Sequence, residues 1–125
     1  IVNGGSLKAL SPAEVDAYDA PFPDESYKSG ARIFPTFVPV TIDDPSNRDN
    51  EIAWGVLRKF EKPFLCTFSD QDPVTAGGQK PFMRDVPGAA NQPHVTISDA
   101  GHFLQENKGE QLAQIIVEFI ANNPR

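Results

Sequence analysis

Several residue types are almost missing from this chain: one cysteine, one methionine, one tryptophan, two tyrosines and two histidines among 125 residues. The lone Cys66 makes no internal disulfide, and with only two histidines beside it the ordinary ligands of a zinc site are too few. Basic side chains are outnumbered, eleven against seventeen acidic, for a net charge of -6. That sign repels phosphate backbones and anionic lipid, so nucleic acid and membrane surfaces are poor partners. No apolar run approaches the roughly 20 residues needed to span a bilayer, and no basic-then-apolar leader opens the chain. A cytoplasmic location is expected. What is present suits a packed core: 39% of residues are hydrophobic and 22% charged, which argues against wholesale disorder. Because the chain opens Ile1-Val2 and its methionine is Met83, we expect a piece of a longer protein.

Proline divides the sequence into two zones. Residues 1–46 contain Pro12, Pro21, Pro23, Pro35, Pro39 and Pro45, which predicts short helices and irregular connections. Ser11-Pro12-Ala13-Glu14 combines an N-cap serine, proline at the first helical position and glutamate three residues on, a capping box opening a helix that Pro21 ends. Asp24 is placed to cap a second helix running to Phe34 and stopped at Pro35. From residue 47 the pattern changes. Ile52, Val56, Leu57 and Phe60 share one helical face over 48–61, and Trp54 reads as a packing residue of that helix. Residues 63–68 read as a buried strand with Cys66 as a small apolar member, 78–85 as a helix weakened by Pro81, and 94–97 as a second strand begun by His94. Leu112, Ile115, Ile116, Phe119 and Ile120 then mark an amphipathic helix of three to four turns. Helix and strand alternate, so the fold class is α/β with parallel strands. Two strands leave open edges, as in one end of a larger sheet.

Chemistry concentrates in the two turns after the strands. The first carries Asp70 and Asp72, the second Asp99 and His102. Turns at the carboxyl ends of parallel strands are where open α/β folds place their active sites. A carboxylate there can accept the imidazole N–H of a histidine from the next turn, fixing the tautomer and leaving the other nitrogen as a base. Spacing alone leaves the plainer alternative open: Asp72 as a turn former before Pro73, and His102 as a surface loop residue.

Three segments carry a resemblance. Ala17-Tyr18-Asp19-Ala20-Pro21-Phe22-Pro23-Asp24, continuing through Tyr27, Gly30, Arg32 and Phe34-Pro35, resembles the end of the cap of the haloalkane dehalogenase family. Lys62-Pro63-Phe64-Leu65 and Phe68-Ser69-Asp70-Gln71-Asp72-Pro73-Val74-Thr75 are similar to the strand and acid-bearing turn of its α/β-hydrolase core. Ala100-Gly101-His102-Phe103-Leu104-Gln105-Glu106 resembles its histidine loop. The resemblance implies the C-terminal portion of an α/β-hydrolase fold, with 1–46 as the end of the cap and connection and 47–125 as core. It also implies hydrolytic cleavage of carbon–halogen bonds. An aspartate forms an alkyl-enzyme ester, a histidine activates water to hydrolyse it, and an acid orients the histidine. On the matching positions His102 is the base and Asp72 the acid, with Asp70 a solvated turn residue. Phe34, Pro35 and Val38 from the cap side, with Val74 and Phe103 from the core side, would line a pocket for a small apolar halogenated substrate, though each also reads as plain packing. Water is the second reactant, so no cofactor and no metal is implied.

One departure from the family governs the expected activity. The sequence contains neither Gly-x-Asp-x-Gly nor Gly-x-Ser-x-Gly, so there is no nucleophile elbow. The expected function is therefore half of a haloalkane dehalogenase-like hydrolase, inactive alone, whose partner is the missing N-terminal half. Two alternatives stand beside it: part of an epoxide hydrolase, and a non-catalytic module from a truncated gene that self-associates as a homo-oligomer through its open edges.

Overall fold

A computed structural model describes residues 2–124. Leu10–Val56 forms one compact unit, and the remainder of the described chain forms another. The division expected between residues 46 and 47 falls at the first residues of a helix.

The second unit holds the sheet. It begins with a single helical turn, α1 (Val2–Gly5). After residue 57 come β1 (Thr67–Ser69), α5 (Gln79–Asp85), β2 (Val95–Ile97) and α6 (Leu104–Asn122), three further helices lying in the other unit. β1 and β2 pair in parallel, with Thr67 opposite Val95, Phe68 opposite Thr96 and Ser69 opposite Ile97. Parallel strands need a crossover connection, and α5 with its flanking turns supplies it. The strand expected over 63–68 is shorter and displaced because two of its amide groups bond elsewhere. The Phe64 N–H donates to the Gly88 carbonyl at 2.9 Å, and the Cys66 N–H donates to His94 Nδ1 at 3.1 Å. The ladder is left to 67–69 and to the Cys66 carbonyl, which accepts the Val95 N–H at 3.1 Å.

Pro81 is accommodated in the first turn of α5, where no intrahelical partner is needed for its missing N–H. Cys66, Val86, Ala89, Ile97 and Ala100 form the buried apolar core, with Ile97 wholly inaccessible. Burial raises the Cys66 thiol above its ordinary pKa, which keeps it protonated and unreactive. His94 is structural: besides accepting from Cys66, its Nε2 lies 2.9 Å from the Ala89 carbonyl. Only a ring protonated at Nε2 and bare at Nδ1 satisfies both contacts.

α6 is longer than its apolar stripe predicts and is bent at Lys108, whose backbone is non-helical. Leu112, Ile115 and Phe119 are half-buried, whereas Ile116, Val117 and Ile120 are exposed. The helix thus covers one side of its stripe and leaves the other bare.

The Leu10–Val56 unit is built from α2 (Pro12–Asp19), α3 (Ser29–Ile33) and most of α4 (Ser46–Leu57). The capping box at α2 is present in both directions. Asp24 does act as a cap, accepting the Ser26 N–H at 2.8 Å, but the single helix expected after it is divided. A 3-10 turn (Glu25–Lys28) precedes α3 and another (Phe34–Phe37) succeeds it, with Pro35 second in the latter. Its fixed φ suits an initial position and removes no needed donor. Asp44 accepts the Ser46 N–H at 2.9 Å and so opens α4. The helix stops at Leu57, short of the expected residue 61, and Ile52 and Val56 on its apolar face are exposed. No residue of this unit is buried among those described.

Candidate active site

The carboxyl ends of β1 and β2 are laced together before any functional side chain is considered. The Asp70 N–H donates to the Ile97 carbonyl and the Gln71 N–H to the Ala100 carbonyl, both at 3.1 Å. The Ser69 hydroxyl donates to the Gly101 carbonyl at 2.8 Å. Asp70, exposed as a turn residue, accepts the Ala100 N–H at 3.3 Å. Asp99 adopts a positive φ of 55°, a conformation that aspartate tolerates better than most residues, and it turns the chain from β2 toward Gly101.

The histidine loop is also held from the other side. The His102 N–H donates to the Gly5 carbonyl at 3.0 Å. Asn107 Oδ1 accepts from the Gly101 N–H at 3.0 Å and the Leu7 N–H at 3.3 Å. The approach is tight enough that a Cβ on Gly101 would lie 2.8 Å from the Gly5 carbonyl oxygen. Glycine is therefore required at 101 by the seating of α1.

Within this frame Asp72 and His102 meet, thirty residues apart in sequence. His102 Nδ1 lies 3.0 Å from Asp72 Oδ1 and 3.1 Å from Oδ2. A carboxylate can only accept, so Nδ1 carries a proton, and in the neutral ring the lone pair is on Nε2. Asp72 is 6% exposed. Its Oδ1 also accepts the Val74 N–H at 2.8 Å and the Thr75 N–H at 3.2 Å, and its Oδ2 accepts the Thr75 hydroxyl. Burial pushes the Asp72 carboxyl upward. The Thr75 hydroxyl, the His102 ring and the two backbone amides outweigh it and hold the group well below the usual carboxylate range. Asp72 is thus a fixed negative charge at neutral pH. The His102 side chain is 32% exposed, so the imidazole remains within reach of water, and its ring meets Phe103 edge-on at 5.1 Å between centroids.

Of the pocket residues expected from the sequence, Phe103 is half-buried beside His102, and Val74 is exposed in the turn that holds Asp72. Phe34, Pro35 and Val38 lie in the Leu10–Val56 unit, all exposed, with Phe34 packed edge-on against Phe37 at 6.3 Å. Thr75, Ser69, Asn107 and Gly5 were not singled out by sequence reasoning as supports of the site. Asp72-Pro73-x-Thr75 does carry a local signal, a cap-forming acid with proline next and a hydroxyl three residues on. Gly5 carries none, because its partner is nearly a hundred residues away. Among the described residues no three His, Cys, Asp or Glu side chains are grouped to hold a metal, and no helix is long and apolar enough to cross a membrane.

A parallel strand pair with an acid after one strand and its histidine after the next is part of an α/β-hydrolase core. No protein-family profile matches the chain, but individual relatives do. It is 53% identical over 124 residues to a haloalkane dehalogenase of Psychrobacter cryohalolentis, a match covering 99% of this chain and 41% of that protein. It is 44% identical over 119 residues to a haloalkane dehalogenase of Mycobacterium marinum, covering 95% and 40%. With haloalkane dehalogenase 1 of Mycobacterium bovis it shares 46% identity over 115 residues, covering 91% and 38%. The chain is thus homologous to haloalkane dehalogenases over nearly all of its own length and spans about two fifths of the length of the relatives it matches.

Proposed function

We propose that this chain is the C-terminal portion of a haloalkane dehalogenase-like hydrolase, supplying its base, His102, and its acid, Asp72. The observation that carries this reading is the bond between His102 Nδ1 and the buried carboxylate of Asp72. A nucleophilic carboxylate from the remainder of the enzyme displaces halide from carbon and becomes an alkyl ester. His102 Nε2 removes a proton from water as the water oxygen attacks the ester carbonyl. The imidazolium so formed is stabilised by the charge of Asp72. As the tetrahedral intermediate collapses, the imidazolium gives its proton to the departing oxygen, the alcohol leaves, and the acid loses its remaining hydroxyl proton to water to become a carboxylate again. Phe103 and Val74, beside His102 and Asp72, contribute pocket wall for a small apolar halogenated substrate.

The principal partner is the rest of the enzyme, which covers the bare side of α6 and the open strand edges. We place the protein in the cytoplasm, consistent with a single buried thiol, Cys66. A second copy of the chain is the competing cover, and light scattering of the purified chain separates the two: a stable symmetric dimer would favour self-association.

The test of function is a graft. The chain replaces the matching two fifths of the Psychrobacter cryohalolentis enzyme, and halide release and covalent adducts are measured. The graft should be active, while the chain alone should release no halide above background. Grafted His102→Ala should accumulate the alkyl ester, seen as a mass increase on the intact protein. Normal turnover by that variant would overturn the assignment of the base.

A further inference from the structure

We propose that Thr75 is a positioning residue for the Asp72–His102 pair. The inference rests on the reading of that pair as base and acid, and adds the group that fixes the acid's orientation. An aspartate carboxylate rotates about its terminal bond with little preference of its own, so being buried does not aim it. Two backbone amides, those of Val74 and Thr75, converge on Oδ1. They would be satisfied by an ordinary capping aspartate whether or not it faced a histidine. The Thr75 hydroxyl differs because it donates to Oδ2. With one oxygen held by amides and the other by the hydroxyl, the carboxylate plane is set, and both oxygens stand within 3.1 Å of His102 Nδ1.

Three further features support a role in aim over one in packing. Thr75 is exposed, so its side chain contributes little apolar burial. Its own amide bonds Oδ1, which ties backbone and side chain of one residue to opposite ends of one carboxylate. Asp72 is also the buried member of the pair, where a misdirected charge is costly.

The experiment uses proton NMR of the 125-residue chain, reading the His102 ring Nδ1–H resonance and its exchange with water. The wild-type chain should show a downfield ring N–H that Asp72→Ala removes. Thr75→Val, nearly isosteric and at an exposed position, should speed its exchange about tenfold, the scale of one hydrogen bond. Thr75→Ser, which restores the hydroxyl, should remain within about twofold of wild type. If the resonance is absent from wild type, or survives in Asp72→Ala, the pair itself is overturned. If it responds to Asp72→Ala but not to Thr75→Val, or if valine and serine act alike, the pair stands and the role of Thr75 is refuted.

Discussion

Replacing Gly88 by alanine should cost this chain about 3 kcal/mol of stability, and the figure comes from the contacts of one backbone position. Gly88 lies in the 3-10 turn Pro87–Ala89 and is buried. Its N–H donates to the Phe60 carbonyl at 2.8 Å, and its carbonyl accepts the Phe64 N–H at 2.9 Å. The turn therefore docks on the segment leading into β1 through both polar groups of a single residue. A Cβ at this position would lie 1.8 Å from the Lys62 carbonyl oxygen and 2.8 Å from the Lys62 carbonyl carbon. Those are backbone atoms and have no rotamer by which to withdraw. The turn must move away, weakening two hydrogen bonds worth about 1 kcal/mol each and disturbing buried neighbours at about 1 kcal/mol more. The assay is urea unfolding of Gly88→Ala against wild type, with amide exchange at Phe64 and Gly88 as a local reading. Gly55→Ala is the control. Gly55 lies in α4 with open space where the alanine methyl would sit, no neighbouring atom coming within 4 Å. Alanine there should be neutral or stabilising by up to about 1 kcal/mol. A Gly88→Ala chain within about 0.5 kcal/mol of wild type would refute the reasoning, since no combination of the named contacts gives so small a loss.

Two further outcomes are expected. Asp72 has its folded-state pKa depressed, so its stabilisation is present above the ordinary carboxylate value of 3.8 and is lost as pH falls through the folded value. Asp72→Asn should lower the urea midpoint at neutral pH and flatten its decline below about pH 4; parallel acid limbs would count against the depression. His94→Leu should destabilise by about 1–3 kcal/mol by leaving the Cys66 N–H and the Ala89 carbonyl without their ring partner, and nitrogen NMR of wild type should find the His94 proton on Nε2. A ring protonated at Nδ1 would contradict the bridge.

Much of the candidate site's geometry was legible because Asp72 and His102 lie in two turns that the strands bring together. Asp72 and His102 come after the two strands in order, and strand pairing alone brings the turns together. The strands themselves were less legible. The apolar run 63–68 looks like a ladder, yet Phe64 and Cys66 direct their amides to Gly88 and His94, partners that no periodicity announces. The helix after Asp24 misleads for a related reason. The α-helix does end at Ile33, just before Phe34-Pro35, but the first turn after Asp24 is a separate 3-10 turn, Glu25–Lys28, that the proline pattern does not announce. α6 and α4 show the limit of amphipathic patterns. Their stripes identify helices correctly, but Ile116, Ile120, Ile52 and Val56 remain exposed because a stripe records what a helix is suited to bury, without naming what covers it. Asp72's hydroxyl donor lies in plain sight at the third residue on, but capping logic assigns that pattern to the turn and gives no hint that the same carboxylate holds a histidine.

The seating of α1 on the histidine loop bears on where this gene segment can be cut or joined. By secondary structure alone the first well-formed helix begins at Pro12, and a designer trimming ragged ends would discard residues 1–9 as dispensable. Those residues contain the carbonyl of Gly5 that receives the His102 N–H and the amide of Leu7 that meets Asn107. A trim at the amino end would thus be felt at position 102, and a fusion partner attached there must leave that turn free to fold back.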